Sequence, residues 1–558
     1  MLQLALTIII FLIIVIPVGR YMYHIATWNH TLADPVFDRL DGVIYKIGGV
    51  NPHQGMNWRQ YALALVGTNA VMVAIGYLIL RIQSVGIFNP NSIGNMEPTL
   101  AFNTIISFMT NTNLQHYSGE SGLSYLSQML VIIFMMFVSA ASGYAACIAF
   151  IRGLTGKTKD DVGNFFADLT RITTRLLLPF SIVGGLLLVW QGVPQNFDAN
   201  IVVNTLEGTF QTIAMGPIAA LEIIKHLGTN GGGFFGPNST HPFENASFFT
   251  NFIETMSIIV IPMACVWMFG RLTGRMKHAA VIFAVMLSLL CVKLGCAVYF
   301  ESAPSAAFHG LDIENSSNLE GKELRYGTSG GPAWSIITTA TSNGSVNAMH
   351  DSLNPLAGLM PMIGMWLNVV FGGVGVGFIN MFLYIIVGVF ISGMMVGRTP
   401  EYLGRKVETR EMKLALLAIL AHPFFILGGT ALFAATSWGA DTVANAGFHG
   451  FSEILYEFTS SAANNGSGFE GLGDNTVPWN IATGLVMLLA RYIPIILPLA
   501  MVGSLAAKTP APETAGTLRT DTLLFGGVLL GCVLIVGALL FMPVAVLGPI
   551  ADHLSVMR

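Results

Sequence analysis

IAALEIIKHLGTNGGG, residues 218–233, is the stretch on which the fold turns. Its apolar part is about half as long as the roughly 20 residues a helix needs to cross a bilayer, and it runs straight into glycines and an amide. Three other stretches have the same form: FNTIISFMTNTN (102–113), AWSIITTATSNGS (333–345) and FSEILYEFTSSAANNGS (451–467). A single cluster of Gly, Asn and Ser reads as readily as a plain turn. Four clusters, each behind a short apolar helix, read instead as a repeat. Aligning TNTN, TNGG, TSNG and ANNG places Asn113, Gly232, Gly344 and Gly466 in register.

Around these stretches lie ten longer apolar runs, near 3–19, 60–81, 125–151, 174–192, 249–271, 278–298, 368–397, 413–436, 480–505 and 522–548. Composition agrees with a membrane protein. Of 558 residues 53% are hydrophobic and only 10% charged, against about 25% charged in soluble domains, so a dissolved surface could not be built. A net charge of -4 excludes a nucleic-acid binder that works by basic charge. The five cysteines fall in apolar runs, with neither metal-knuckle spacing nor a disulfide framework. The first run lacks a basic leader and a clear small-residue cleavage site, and reads as a retained span. Most Lys and Arg residues, among them Arg20, Arg152, Arg271, Arg410 and Lys508, fall in alternate connections. That asymmetry puts those connections in the cytoplasm and both termini outside.

The expected fold is an all-α membrane protein of ten transmembrane helices, with four pseudo-repeated helix–pore loop–helix units around one central pore. The units are 60–153, 172–271, 277–397 and 412–507, flanked by an N-terminal span and cytoplasmic loop (1–59) and a C-terminal span (522–548).

Irregular backbone at membrane depth is tolerated only where it lines a wet cavity or is buried in protein. Four such strands around one axis bring carbonyl oxygens together, and rings of carbonyls replace the hydration shell of an alkali cation. The clusters contain no carboxylate, which favours carbonyl coordination over a divalent-ion ring. Candidate ligands are Thr110, Asn111, Thr112, Asn113, Thr229, Asn230, Gly231, Gly232, Ser342, Asn343, Gly344, Asn464, Asn465 and Gly466.

The wording of the chain is more specific still. NWRQY (57–61), YSGE (117–120), LSYLSQM (123–129), GPIAALEIIKHLGTNGGGFF (216–235) and HPFEN (241–245) continue with AMHDS (348–352), FGGVGVG (371–377), GRTPEYLG (397–404), REMK (410–413) and SSAANNGS (460–467). These stretches resemble the A subunits of Kdp-type potassium-transporting P-type ATPases, within the superfamily of potassium transporters. The resemblance implies a subunit of the bacterial inner membrane that binds and takes up K⁺ as its substrate without hydrolysing ATP. It also implies three partners: a catalytic P-type ATPase subunit, a C-type subunit and a small single-span subunit. Asn343 stands where a relative carries Cys, and the amide run Asn464–Asn465 is short for the family. No D-K-T-G-T run is present to supply a phosphorylated aspartate. Gly156-Lys157-Thr158 is a decoy, because Ile151 stands where a phosphate loop needs its first glycine. No organic cofactor is expected, and lipid is the remaining surrounding partner.

Gly372, Gly373, Gly375 and Gly377 open the seventh run. Glycine costs about 1 kcal/mol per residue in a helix interior, so they predict either a broken helix beneath the pore loops or close packing between spans. Arg398 closes that run; the resemblance makes it a coupling residue, whereas its position alone makes it a basic anchor. His116, Glu120, His241, Glu244 and Glu470 follow the pore loops as solvated loop residues, braces or a cation-concentrating mouth. The competing function is a self-contained K⁺ channel or secondary transporter of the same superfamily.

Overall fold

The computed structural model describes residues 2–156, 161–304, 317–395, 397–510 and 518–556. Lys157 and Thr158 of the decoy motif therefore lie outside the described residues. Within them, ten helices are long and apolar enough to cross a membrane: Leu6–Ala26, Trp58–Arg81, Tyr125–Thr155, Phe165–Trp190, Phe248–Thr273, Met276–Ser302, Gly373–Met395, Thr409–Ala434, Val477–Ala506 and Leu523–Ser555. The chain is a multi-pass, all-α membrane protein.

Side-chain caps fix where several spans begin. Asn57 accepts the amides of Arg59 and Gln60, Ser247 that of Thr250, and Thr522 that of Phe525, satisfying N–H groups that a helix leaves open at its start. The fifth span ends where Gly274 turns left-handed at φ 70°, a conformation that favours glycine. The third, fifth and seventh spans are each 83% buried, whereas the second is 22% and the tenth 28%. The former three therefore make the centre and the latter two the lipid-facing rim.

Four short helices, Pro98–Met109, Ile218–Leu227, Gly327–Ala340 and Phe448–Ala463, sit inside this frame with nearly every side chain buried. Three of them are received by a glycine on the neighbouring span. Ile223 fills the place of a Cβ on Gly184, Ile105 that on Gly76, and Phe458 that on Gly429. Small residues let helices approach closely where lipid offers no hydrophobic drive between them.

The structure corrects the seventh run. Residues 368–372 are not helical; instead a separate helix, Pro355–Leu367, precedes them and Val376–Met395 follows. The break is made by backbone in the left-handed region at Asn368, Phe371, Val374 and Gly375, which no α-helix can include. Searching for long apolar runs also passed over two smaller elements. One is the amphipathic helix Asp34–Gly48, and the other an antiparallel hairpin pairing Ile201–Asn204 with Phe210–Ile213.

Gly428 and Gly429 make an internal control. A Cβ on Gly429 overlaps the Phe458 ring, while one on Gly428 meets nothing within 4 Å. Gly429→Ala should therefore lose about 1–3 kcal/mol of stability through overpacking, and Gly428→Ala should gain slightly from helix propensity. Thermal unfolding of the two variants in detergent checks the contrast; equal melting temperatures would disprove the packing assignment.

Candidate functional site

Each short helix ends in the same way. The backbone turns left-handed at Asn111 (φ 64°), Thr229 (φ 46°), Ser342 (φ 51°) and Asn464 (φ 51°). The next amide then reaches back five residues: Thr112 to Ser107, Asn230 to Lys225, Asn343 to Thr338 and Asn465 to Ser460, all at 2.9 Å or less. These bonds set the register, and they correct the sequence alignment by one residue in the second stretch. Gly231, not Gly232, stands level with Asn113, Gly344 and Gly466. The letters TNTN and TNGG align by identity, but the second helix closes at Gly228, one residue earlier than the match implies. The corrected register also equates Ile105, Ile223 and Phe458, the three side chains seated on span glycines.

The four segments meet in a closed ring. Between the first and second, Asn111 Nδ2 donates to the carbonyls of Gly228 (3.2 Å) and Thr229 (2.7 Å). Between the second and third, Asn343 Nδ2 donates to Lys225 O (3.0 Å), and the Gly344 amide donates to Asn230 O (2.7 Å). Asn465 Nδ2 joins the fourth to the third at Asn343 O (3.0 Å), and Asn464 Nδ2 joins it to the first at Thr112 Oγ1 (2.9 Å). At the level of the corrected register the chains touch main chain to main chain. A Cβ on Gly231 would overlap the Gly344 backbone, one on Gly344 would lie 2.7 Å from Gly466 Cα, and one on Gly466 would overlap Thr112 O. Gly232 faces elsewhere, with its Cβ position 2.7 Å from the Phe108 ring. Thr110 closes its helix, its hydroxyl bonded to Ile106 O and to Thr112.

One face of the ring opens on a cavity of about 720 Å³ lined by Asn113, Gly344, Gly466, His116, Glu457, Glu470 and Asp474. The other face meets the glycine-rich break. The Val374 amide donates to Thr229 Oγ1 at 3.0 Å, and Gly373 lies so close to Thr341 O that a Cβ could not fit. Gly372 and Gly377 abut each other, and Gly375 abuts Cys147. Gly372, Gly373 and Gly377 are thus required by close backbone approach, and Gly375 by the Cys147 side chain and its left-handed φ, in a loop pressed against the ring. Beside it is a small cavity of about 40 Å³, lined by Ser342, Asn464, Asn368, Asn380, His422 and Arg491. Arg398 lies exposed beyond the seventh span, remote from the ring in sequence, and its amide bonds Gly393 O at 2.9 Å.

This arrangement has a match among known proteins. The family model described as "Potassium-transporting ATPase A subunit" (KdpA) matches residues 5–554. The chain belongs to the KdpA family. Two relatives named "Potassium-transporting ATPase potassium-binding subunit" agree: that of Caldanaerobacter subterraneus subsp. tengcongensis is 52% identical over 97% of this chain and 96% of its own. That of Geobacillus kaustophilus is 51% identical over 99% of both. The solved structure of the potassium transporter TrkH from Vibrio parahaemolyticus shares the fold at a TM-score of 0.54 and 12% identity, covering 89% of this chain and 98% of that one.

Several side chains that shape this KdpA site were not singled out by the motif reading. Arg491 is 5% exposed within the ninth span, and its Nη2 lies 2.7 Å from the place a Cβ on Gly143 would occupy. A basic residue inside an apolar span was the available signal, since intramembrane charge marks function by default. Lys225 is buried and ion-paired with Glu222 (2.6 Å) and Glu244 (2.7 Å). Glu244 also accepts the Phe235 amide, and Glu120 the Gly236 amide, so both brace the second loop. His241 stacks on Phe235 at 3.6 Å between ring centres. Glu470 accepts the amides of His350 and Asp351.

His116 is buried between Asn480 Oδ1 (2.7 Å), Glu457 (3.4 Å) and Asp474 (3.8 Å). Burial works against its charge, but the two carboxylates prevail and push the imidazole up to about 9. A group with a raised native pKa stabilises fully below its unfolded value, near 6.5, and loses that contribution as pH rises through the native one. The wild type should therefore lose about 1–3 kcal/mol more than His116→Gln between pH 6.5 and pH 10. Parallel melting curves across that range would show that His116 carries no charge in the native state.

Proposed function

We propose that this chain selects K⁺ outside the bacterial inner membrane and passes it on as the ion-binding subunit of an ATP-driven pump. The observation that carries this reading is the ring of four non-identical backbone segments, in a chain whose relatives are named potassium-binding subunits. In this reading residues 110–113, 229–232, 342–344 and 464–466 hold the ion, with Gly231 taking the ring position first given to Gly232. Carbonyl rings select K⁺ by replacing its water, and an entering ion has to release Asn230 O from the Gly344 amide. The four units 60–153, 172–271, 277–397 and 412–507 surround one pore, with both termini on the outer face. The relatives' names speak of an ATPase; we assign ATP hydrolysis to a separate P-type subunit, accompanied by a C-type subunit and a small single-span subunit.

A pump cannot keep an open K⁺ pore, because ions would run back down the gradient it builds. The loop around Gly372–Gly377 is the obstruction in this proposal, and Arg398 communicates with the catalytic partner. A self-contained channel is disfavoured by that same loop, which lies across the inner face of the ring. Co-purification of the tagged chain with a P-type ATPase subunit tests the assembly; K⁺ flux by the chain alone, without ATP, would overturn it.

Two variants test the site. Gly231→Ser should abolish discrimination of K⁺ from Na⁺ and Rb⁺ in a flux or growth assay, since its side chain enters the Gly344 backbone. Unchanged discrimination would remove the second segment from the ion site. Shortening the 372–377 loop should give K⁺ leak without ATP in proteoliposomes, with selection retained. ATP-dependent, wild-type flux from that variant would return the glycines to a packing role.

A further inference from the structure

Behind the second segment of the ring, three side chains converge without bonding to one another. Glu222 and His226 stand one turn apart on the helix Ile218–Leu227, and Glu254 comes from the fifth span. All three are fully buried, and one ligand atom from each lies within 4.8 Å of the other two. His226 Nε2 is 3.7 Å from Glu222 Oε1. Among the described residues, neither ring nitrogen of His226 and neither oxygen of Glu254 has a hydrogen-bond partner.

Two similar groups show what a satisfied cluster looks like in this protein. In the group His116, Glu457 and Asp474, both imidazole nitrogens are engaged, by Asn480 and Glu457. In the group Asp351, His449 and Glu453, His449 is held at 2.9 Å by both Asp351 and Asp552. His226 alone among the three histidines has both nitrogens unengaged.

The charges point the same way. Glu222, Glu244 and Glu254 are all buried, and the single Lys225 ammonium pairs with the first two. Among the described residues Glu254 makes no direct ion pair; Lys225 and Arg325 act on it only from a distance. Protonating it would give an O–H that still needs an acceptor, and would leave the imidazole nitrogen facing carboxylates it does not bond. A divalent cation resolves all three deficits together, because it takes one lone pair from each group and offsets the carboxylate charge.

We propose that Glu222, His226 and Glu254 bind one zinc ion as a structural site. One imidazole and two carboxylates suit zinc, whereas calcium and magnesium prefer oxygen alone. Zinc at about 2.0–2.1 Å from each ligand would draw the three atoms to about 3.4 Å apart, a sub-ångström adjustment for His226 and Glu222. The site ties the helix that carries Lys225, His226 and the ring segment to the fifth span. Zinc therefore holds the second quarter of the ring in place from behind, and it takes no part in conduction.

The test is metal content of the full-length chain, purified without chelator from cells grown with added zinc. Elemental analysis should find about one zinc per chain in the wild type and in His449→Gln, and less than about a fifth of that in His226→Gln and Glu254→Gln. Wild-type protein without zinc, or equal zinc in all four proteins, overturns the site in favour of a protonated, water-bridged cluster. Should the two variants fail to fold, X-ray absorption at the zinc edge of the wild type decides. One imidazole with oxygen ligands supports the site; thiolate ligands or oxygens alone overturn it.

Discussion

An asparagine side chain closes every seam of the ring. Non-helical backbone in the middle of a membrane protein has no water to satisfy its carbonyls, and each one left bare costs several kcal/mol. Asn111, Asn343 and Asn465 meet this constraint by lending an amide to a carbonyl of the neighbouring segment, and Asn464 closes the last seam on the Thr112 hydroxyl. Asparagine is short enough to reach without displacing the main chain, and it carries two donors. It also tolerates the left-handed turn that Asn111 and Asn464 must make. The rest of the fold follows from holding these four short segments at bonding distance.

Two kinds of glycine serve that end. On the outer spans, Gly76, Gly184 and Gly429 are receptacles into which Ile105, Ile223 and Phe458 fit, so each short helix is positioned by a side chain on its own shaft. In the ring and in the loop beneath it, Gly231, Gly344, Gly466 and Gly373 permit main chain to touch main chain. The first kind sets where a helix lies; the second sets how tightly the centre closes. Buried charge adds a third support, where Lys225 and Glu244 lock the second loop. Breaking one member of such a pair costs about 3–5 kcal/mol, because the other is then left uncompensated.

Much of this was legible in the sequence. Long apolar runs fix spans by length alone, and the four short helices showed as apolar stretches too brief to cross. The register of the second segment was not legible, because Thr-Asn recurs in both TNTN and TNGG while the helix terminus, invisible to an identity match, sets the true alignment. The helix Pro355–Leu367 escaped for a related reason: it is short, contains Pro361 and runs into an apolar segment, so hydropathy alone does not divide the two. Arg491 was visible as a charge in a span, but its place against Gly143 arises only when the third and ninth spans are brought together. The convergence of Glu222 and His226 with Glu254 joins two helices across a loop, and only the first two share a one-turn spacing.

The ring is also asymmetric. Asn113, Gly231, Gly344 and Gly466 occupy equivalent positions, yet the Val374 amide bonds Thr229 of the second segment while Gly373 packs against Thr341 O of the third. In an assembly of four identical chains, any substitution appears four times, and evolution can alter such a ring only in steps of four. Here all four sides belong to one polypeptide, so a mutation changes one quarter of the ring and leaves three as they were. Heredity can thus tune this ring in single steps, and give its floor an off-centre contact that no strictly symmetric tetramer could inherit.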